Sequence, residues 1–173
     1  EISSFELKNN NDFLQFNGSI DADSLFNLDR FQFAYRNHYL VNPKPIKIFF
    51  NNDYFETKPF EIHVDDGVFE GFIKTNPISG DLKFLNVTTE LLSLIDPDYS
   101  EKIKGNIFGE ISMREGLSHN EINLNINLKD GEVANQPFSE FEIIADFSEG
   151  MLDLKNIEMT NGLIFSQEVL LLL

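Results

Sequence analysis

The residues able to do chemistry are few and scattered. The chain has three histidines, His38, His63 and His119, and no two stand at a spacing that aims both imidazoles at one zinc ion. Carboxylates pair up at Asp21/Asp23, Asp65/Asp66 and Asp96/Asp98. These suit calcium, but none sits in a loop with the oxygen-ligand spacing of a dedicated calcium site, and Asp in turns and caps explains them. With 29 acidic residues, two carboxylates for glycoside hydrolysis exist in number, yet nothing singles out a pair. Cysteine is absent, which removes thiolate chemistry and disulfides. There is no Gly-x-Ser-x-Gly elbow, phosphate loop or dinucleotide fingerprint. We expect no metal, no cofactor and no enzyme.

Charge narrows the partners. A net charge of −16 opposes binding to nucleic acid, whose phosphates demand a basic footprint. It equally opposes docking on anionic head groups of a membrane surface. It keeps a chain in solution even when that chain carries a large apolar surface.

What remains is pattern, and it is clearest over residues 121–128, Glu-Ile-Asn-Leu-Asn-Ile-Asn-Leu. Ile122, Leu124, Ile126 and Leu128 alternate with Glu121, Asn123, Asn125 and Asn127 without exception. A period of two gives a strand one apolar and one polar face, and Ile with Asn favours strand over helix. Lys129-Asp130-Gly131 then reads as a turn.

Most of the chain repeats this design. Ile2, Phe5 and Leu7, then Leu14, Phe16, Gly18 and Ile20, read as a hairpin. Leu25, Phe26 and Leu28 read as a short helical turn or an irregular link. Phe31, Phe33 and Tyr35 alternate, 39–41 is a short strand, and Pro43 and Pro45 mark a bend or strand entry. Ile46, Ile48 and Phe50 follow, then Phe60, Ile62 and Val64. Asp65-Asp66-Gly67 signals a hairpin, whose returning strand is either Phe69, Gly71 and Ile73 or the opposite parity, Val68 and Phe72. Leu82 and Phe84 follow, with Val87 less securely in phase.

Residues 88–96 read as the single helix, capped by Thr88 or Thr89 and stopped by Pro97. Beyond it, Ile107, Gly109, Ile111 and Met113 alternate, as do Phe141, Ile143, Ala145 and Phe147. Ser148-Glu149-Gly150 turns the chain. Leu152 and Leu154 differ in parity from Ile157 and Met159, which requires a bulge near Asn156. The expectation is an all-β chain of about a dozen short strands, antiparallel and meander-like, with one short helix.

The order of segments from 80 to 162 resembles the repeating unit of the TamB and AsmA-like envelope proteins. The resemblance rests on Leu82-Lys83-Phe84-Leu85-Asn86-Val87 and on the helical Leu91-Leu92-Ser93-Leu94-Ile95 with Asp96-Pro97. It continues through Lys104-Gly105-Asn106-Ile107-Phe108-Gly109-Glu110-Ile111 and the alternating strand closed by Asp130-Gly131. The strand 141–147 and the segment from Leu152-Asp153-Leu154 to Thr160-Asn161-Gly162 complete it. The earlier part, 31–73, is similar to the hairpins that precede the helix in that family. The sequence departs from the pattern at Met113-Arg114-Glu115-Gly116-Leu117-Ser118, where the family carries a Gly-Thr step and a proline.

The resemblance implies an antiparallel sheet curled lengthwise into an open half-pipe with an apolar interior. It also implies a place in the periplasm of a diderm bacterium, with anchorage to the inner membrane by sequence outside this stretch. The roles it implies are phospholipid transport between inner and outer membranes and outer-membrane protein assembly. The implied partners are phospholipid acyl chains and an outer-membrane barrel of the BamA type or its clients.

On that reading residues 1–173 form one module. Residues 1–80 are a hairpin region, 81–99 a strand and short helix, and 100–173 a meander. The chain opens at Glu1 inside a strand-like pattern, so we expect a piece of a longer protein, with 169–173 beginning a further strand. The residues expected to line the groove are Ile46, Ile48, Phe50, Phe60, Ile62, Val64, Ile107, Ile111, Ile122, Leu124, Ile126, Leu128, Phe141, Ile143 and Phe147. The alternative is a closed β-sandwich, in which the apolar faces cover each other, serving as an extracellular carbohydrate- or protein-binding module.

Overall fold

Alternation runs through nearly every segment, and the chain answers it with a single antiparallel sheet. The computed structural model describes residues 4–9, 12–20, 25–35, 38–94, 102–116, 120–133 and 135–160. The strands are β1 (Phe5–Asn9), β2 (Asp12–Ile20), β3 (Leu25–Tyr35), β4 (His38–Val41), β5 (Ile46–Phe50), β6 (Phe55–Thr57) and β7 (Phe60–Val64). They continue as β8 (Gly67–Lys74), β9 (Ser79–Thr88), β10 (Ile103–Glu115), β11 (Asn120–Val133), β12 (Gln136–Ser148) and β13 (Met151–Thr160). All 13 belong to one sheet. Among the described residues, β1 pairs only with β2 and β13 only with β12, so the curled sheet is open. Among the described residues there is no second sheet to face it, as a closed sandwich would require.

The pairing order departs from sequence order only around β4 to β7. The reason is local. β4 and β5 both run antiparallel to β3, one along its second half and one along its first. They are two halves of one strand, broken where Pro43 and Pro45 withhold backbone donors. β6 and β7 are likewise halves of the next strand, broken at Lys58-Pro59, with β6 beside β5 and β7 beside β4. Both then meet β8. With each broken strand counted once, the sheet is a plain up-and-down meander, as the short connections require.

Asn42 closes the first break. Its backbone N–H donates to the Phe31 carbonyl at 3.3 Å, and its Oδ1 accepts from the Phe31 N–H. Its Nδ2 faces the carbonyls of Leu28 at 3.2 Å, Asp29 at 3.4 Å and Lys44 at 2.8 Å. One buried amide thus replaces the ladder that β3 loses where its partner changes. Across the second break, the Lys58 N–H donates to the Lys47 carbonyl at 2.9 Å. The buried Thr57 hydroxyl accepts from the Ile73 N–H at 2.8 Å.

One further irregularity, between Lys104 and Asn106 opposite Asp130-Gly131, lies toward the strand ends, and the other three lie in the same mid-strand band. Register shifts fall between Asn17 and Gly18 opposite Asp29, between Ile107 and Gly109 opposite Leu85-Asn86, and between Ile144 and Ala145 opposite Lys155. Bulges and glycine kinks bend a strand and raise its twist, so a row of them across the sheet lets it curl. Gly109 (φ 131°) sits in this band. A Cβ there would lie 2.1 Å from the Asn125 carbonyl, so only glycine lets the neighbouring strand approach.

Several expectations are corrected. Leu25, Phe26 and Leu28 lie in β3; the bulge at Asp29 shifts their parity and hides the strand from a period-two reading. Lys129-Asp130-Gly131 is no hairpin turn. Asp130 takes φ 50° inside a β11 of 14 residues, and the chain reverses only after Val133. The helix 88–96 is, in its described part, a 3₁₀ turn over Thr89–Leu94. A segment this short nucleates an α-helix poorly, and tertiary contacts hold it instead. Thr88 Oγ1 caps it, accepting from the Glu90 N–H at 3.3 Å, and the fully buried Thr89 donates to the Ile103 carbonyl at 3.1 Å. Three-residue β6 was not legible. Ile95, Pro97 and 169–173 lie outside the described residues.

Asn42→Ala is expected to cost about 2–4 kcal/mol, because it leaves buried donors and acceptors of β3 unpaired. Urea unfolding, with exposed Asn123→Ala as the near-neutral control, checks this. Equal midpoints for the two variants would contradict the assigned role.

Candidate functional site: the apolar face

Residues directly opposed in an antiparallel pair share a face, so the register decides what the alternation builds. One row runs Phe5, Phe16, Phe31 in β1 to β3. Beyond the Asn42 break it continues as Ile62, Phe69, Phe84, Gly109, Ile126, Ile143 and Ile157 in β7 to β13. A parallel row contains Gly71, Leu82, Ile111, Leu124, Ala145 and Leu154. The apolar residues of successive strands therefore meet side by side across the whole sheet. The opposite face carries Glu61, Glu70, Lys83, Glu110 and Asn125 in one such row.

All the expected groove residues fall on the apolar face. Ile46 and Ile48 oppose Leu28 and Phe26, and Phe50 opposes Phe55. Phe60, Ile62 and Val64 oppose Gly71, Phe69 and Gly67. Ile107 and Ile111 oppose Leu128 and Leu124. Ile122, Leu124, Ile126 and Leu128 oppose Phe147, Ala145, Ile143 and Phe141. The open choice for the returning strand resolves to Phe69, Gly71 and Ile73. Val87 joins the face because Asn86 adopts φ 59° and resets the phase. The bulge expected near Asn156 is present, with Lys155 the extra residue, and keeps Leu152, Leu154, Ile157 and Met159 on one side.

The face is not uniformly open. At the strand ends beside the 3₁₀ turn, Val64 is 3 %, Val87 5 %, Leu128 6 % and Phe141 2 % exposed. Leu128 and Phe141 pack there with Val133 and Phe138. At the other end, Phe50 is 40 %, Phe147 41 % and Leu152 62 % exposed. Between them most apolar side chains are half-buried, with Ile46 and Ala145 buried. Ile46, Val64, Leu128 and Phe141 are thus packed core, while the rest present surface. Aromatic contacts pave the middle: Phe60 and Phe69 lie 5.6 Å apart, and Phe69 and Phe84 5.1 Å. Phe69 and Phe84 are site residues the sequence reading omitted; for Phe69, Val68 and Phe72 offered an equal case for the other parity.

The polar candidates disperse. His63 meets Glu61 at 2.6 Å across one strand face. His119, Asp21/Asp23 and Asp96/Asp98 lie outside the described residues. His38 is different. Its Nδ1 lies 2.7 Å from Asp65 in the β7–β8 turn, and its Nε2 2.7 Å from Glu90 in the 3₁₀ turn. Asp65 also accepts from the Tyr39 N–H at 2.7 Å. The ring clips the 3₁₀ turn to the closed end of the face. Burial alone would lower its pKa, but the hydrogen bonds and charges of Asp65 and Glu90 outweigh that and hold it above the usual value.

A raised folded pKa stabilises below the unfolded value of about 6.5 and ceases to as pH rises through the folded value. Thermal melts should therefore show a stability contribution lost on raising the pH through that window. His38→Gln should flatten the profile there. An unchanged profile in His38→Gln would contradict the clip.

Comparison with protein-family models, with curated proteins and with solved structures finds no match to this chain.

Proposed function

We propose that the chain is a non-enzymatic module whose open apolar face carries lipid acyl chains, as part of a cell-envelope system of the TamB and AsmA-like kind. The observation that supports this most is the in-register continuity of apolar side chains over an unsealed sheet. A monomer leaves contiguous apolar patches of no more than several hundred Å² uncovered. At roughly 4.8 Å per strand, this face runs on the order of 50 Å across the strands. Such a face needs an occupant. Acyl chains suit it, because each buried methylene contributes about 0.8 kcal/mol without directional demands. A conduit of this type needs no polar motif, which agrees with a sequence where chemistry-bearing residues are scattered. A diderm periplasm, an inner-membrane anchor outside this stretch, and handoff to an outer-membrane barrel of the BamA type belong to the same reading. Outer-membrane protein assembly is a second role within it, through pairing of a client strand with the edge of β1 or β13, which has no second partner strand among the described residues.

Photocrosslinkers at Leu124 and Ile143, exposed to phospholipid vesicles or placed in envelope-bearing cells, should capture phospholipid, and one at outward-facing Asn125 should not. Capture from Asn125 alone would contradict the groove. Ile126→Asp should leave the fold intact by circular dichroism while lipid capture falls severalfold, because a half-buried site still hydrates a carboxylate. Global unfolding of that variant would indicate a sealed core.

A further inference from the structure

His38 stands on the apolar side of the sheet. It shares parity with Leu40, which opposes Phe33 and Val64, both on the apolar face. Its partner Glu90 comes from the 3₁₀ turn that leaves the end of β9. Between β9 and β4 stand β8 and β7, so a flat sheet would separate the two strands by about 14 Å. The contact between His38 and Glu90 at 2.7 Å therefore draws the turn across the ends of β8 and β7 on the apolar side. Val64 and Val87 are buried at the ends of β7 and β9, and Leu91 and Leu92 of the turn are half-buried. On its other flank the turn is tied to β10 by the bond from Thr89 to the Ile103 carbonyl.

Protonation decides whether both contacts of the ring can exist together. Ionised carboxylates only accept, and Asp65 and Glu90 occupy both ring nitrogens. An imidazolium donates from both. A neutral imidazole carries one N–H, so one contact becomes acceptor against acceptor and opens. Asp65 is anchored beside the ring, because it accepts from the Tyr39 N–H at 2.7 Å and its own N–H donates to the Tyr39 carbonyl at 2.9 Å. Glu90 is 59 % exposed, and among the described residues its carboxylate has no second partner. The neutral ring thus keeps Asp65 and releases Glu90. Burial lowers the pKa of the ring, but Asp65 and Glu90 outweigh it, and they are the described groups that act on its charge. Of the other ionisable neighbours, Tyr35 opposes His38 from β3 with its ring stacked on Phe33, the Tyr39 hydroxyl is bonded to Gln32, and Asp66 is exposed in the β7–β8 turn.

We propose that the 3₁₀ turn is a strap latched by His38. The protonated ring holds the strap across the end of the apolar face at Val64 and Val87. The neutral ring lets it go and lengthens the surface open to acyl chains. The inference rests on the groove reading and adds to it the regulation of that site.

Single cysteines report the strap directly. Maleimide labelling of Val64→Cys, divided by that of Leu152→Cys at the opposite end, would be followed at about pH 5.5 and about pH 8.5, either side of the histidine range. The ratio should rise about threefold with pH, the effect of one partly exposed charge-assisted contact. In a His38→Gln background it should stay high at both pH values, and in His38→Lys, which keeps the charge, low at both. Glu90→Ala, which removes an exposed side chain, should match His38→Gln. Uptake of the neutral dye N-phenylnaphthylamine should rise with pH in the parent chain and stay level in all three variants. A ratio that pH leaves unchanged, or a pH response that survives in His38→Gln and Glu90→Ala, overturns the strap while leaving the groove standing. Dye uptake that ignores an opening registered by the cysteine also overturns it. If the folded chain takes up dye at neither pH, the groove reading itself fails, and the inference with it.

Discussion

Phase is the constraint on which this structure depends. A strand turns every second side chain to the same face, so one uncompensated extra residue moves all later apolar side chains to the wrong side. The chain carries breaks and bulges in many of its strands, yet the apolar side remains continuous. It does so because each irregularity is answered across the ladder. Asp29 is absorbed opposite Gly18, Asn86 by its positive φ, and Lys155 opposite the step from Ile144 to Ala145. The interruptions that bend the sheet are thus the same features that keep its faces apart.

The cost of those interruptions is lost backbone pairing, and it is met locally. Pro43, Pro45 and Pro59 remove donors from strands that lie in mid-sheet, where proline is ordinarily excluded. Asn42, Thr57 and the Lys58 N–H supply the missing bonds from within the breaks. A fully satisfied buried amide costs little, whereas an unsatisfied carbonyl in the same place costs a kilocalorie or more. This explains why a polar residue stands in the otherwise apolar row between Phe31 and Ile62.

Much of the fold was legible because alternation is a strong signal where nothing interrupts it. In residues 121–128 and 141–147 the alternation shows strand and face directly, and the parity change at Asn156 marks its bulge. The signal failed where phase was broken or ambiguous. Leu25, Phe26 and Leu28 lost their strand character to the bulge at Asp29. The strand β8 has apolar residues on both parities, and only pairing with β7 and β9 decided between them. Asp130-Gly131 has the composition of a hairpin turn, and only the long partner strands show it to be a kink. The groove residues were identified as a set. Their division into packed core and exposed surface depends on which strand ends the 3₁₀ turn and its His38 clip lie against, a long-range matter that no local pattern encodes.

The most direct test uses the absence of cysteine in the chain. Single cysteines placed one at a time at positions 122 to 127 along β11 would be labelled with maleimide, with and without phospholipid. Lipid should slow labelling at 122, 124 and 126 and leave 123, 125 and 127 unchanged, reproducing the two-residue period of the strand. Labelling rates that lipid leaves unaltered at both sets, or slows equally at both, would contradict an accessible apolar face as the place where acyl chains bind.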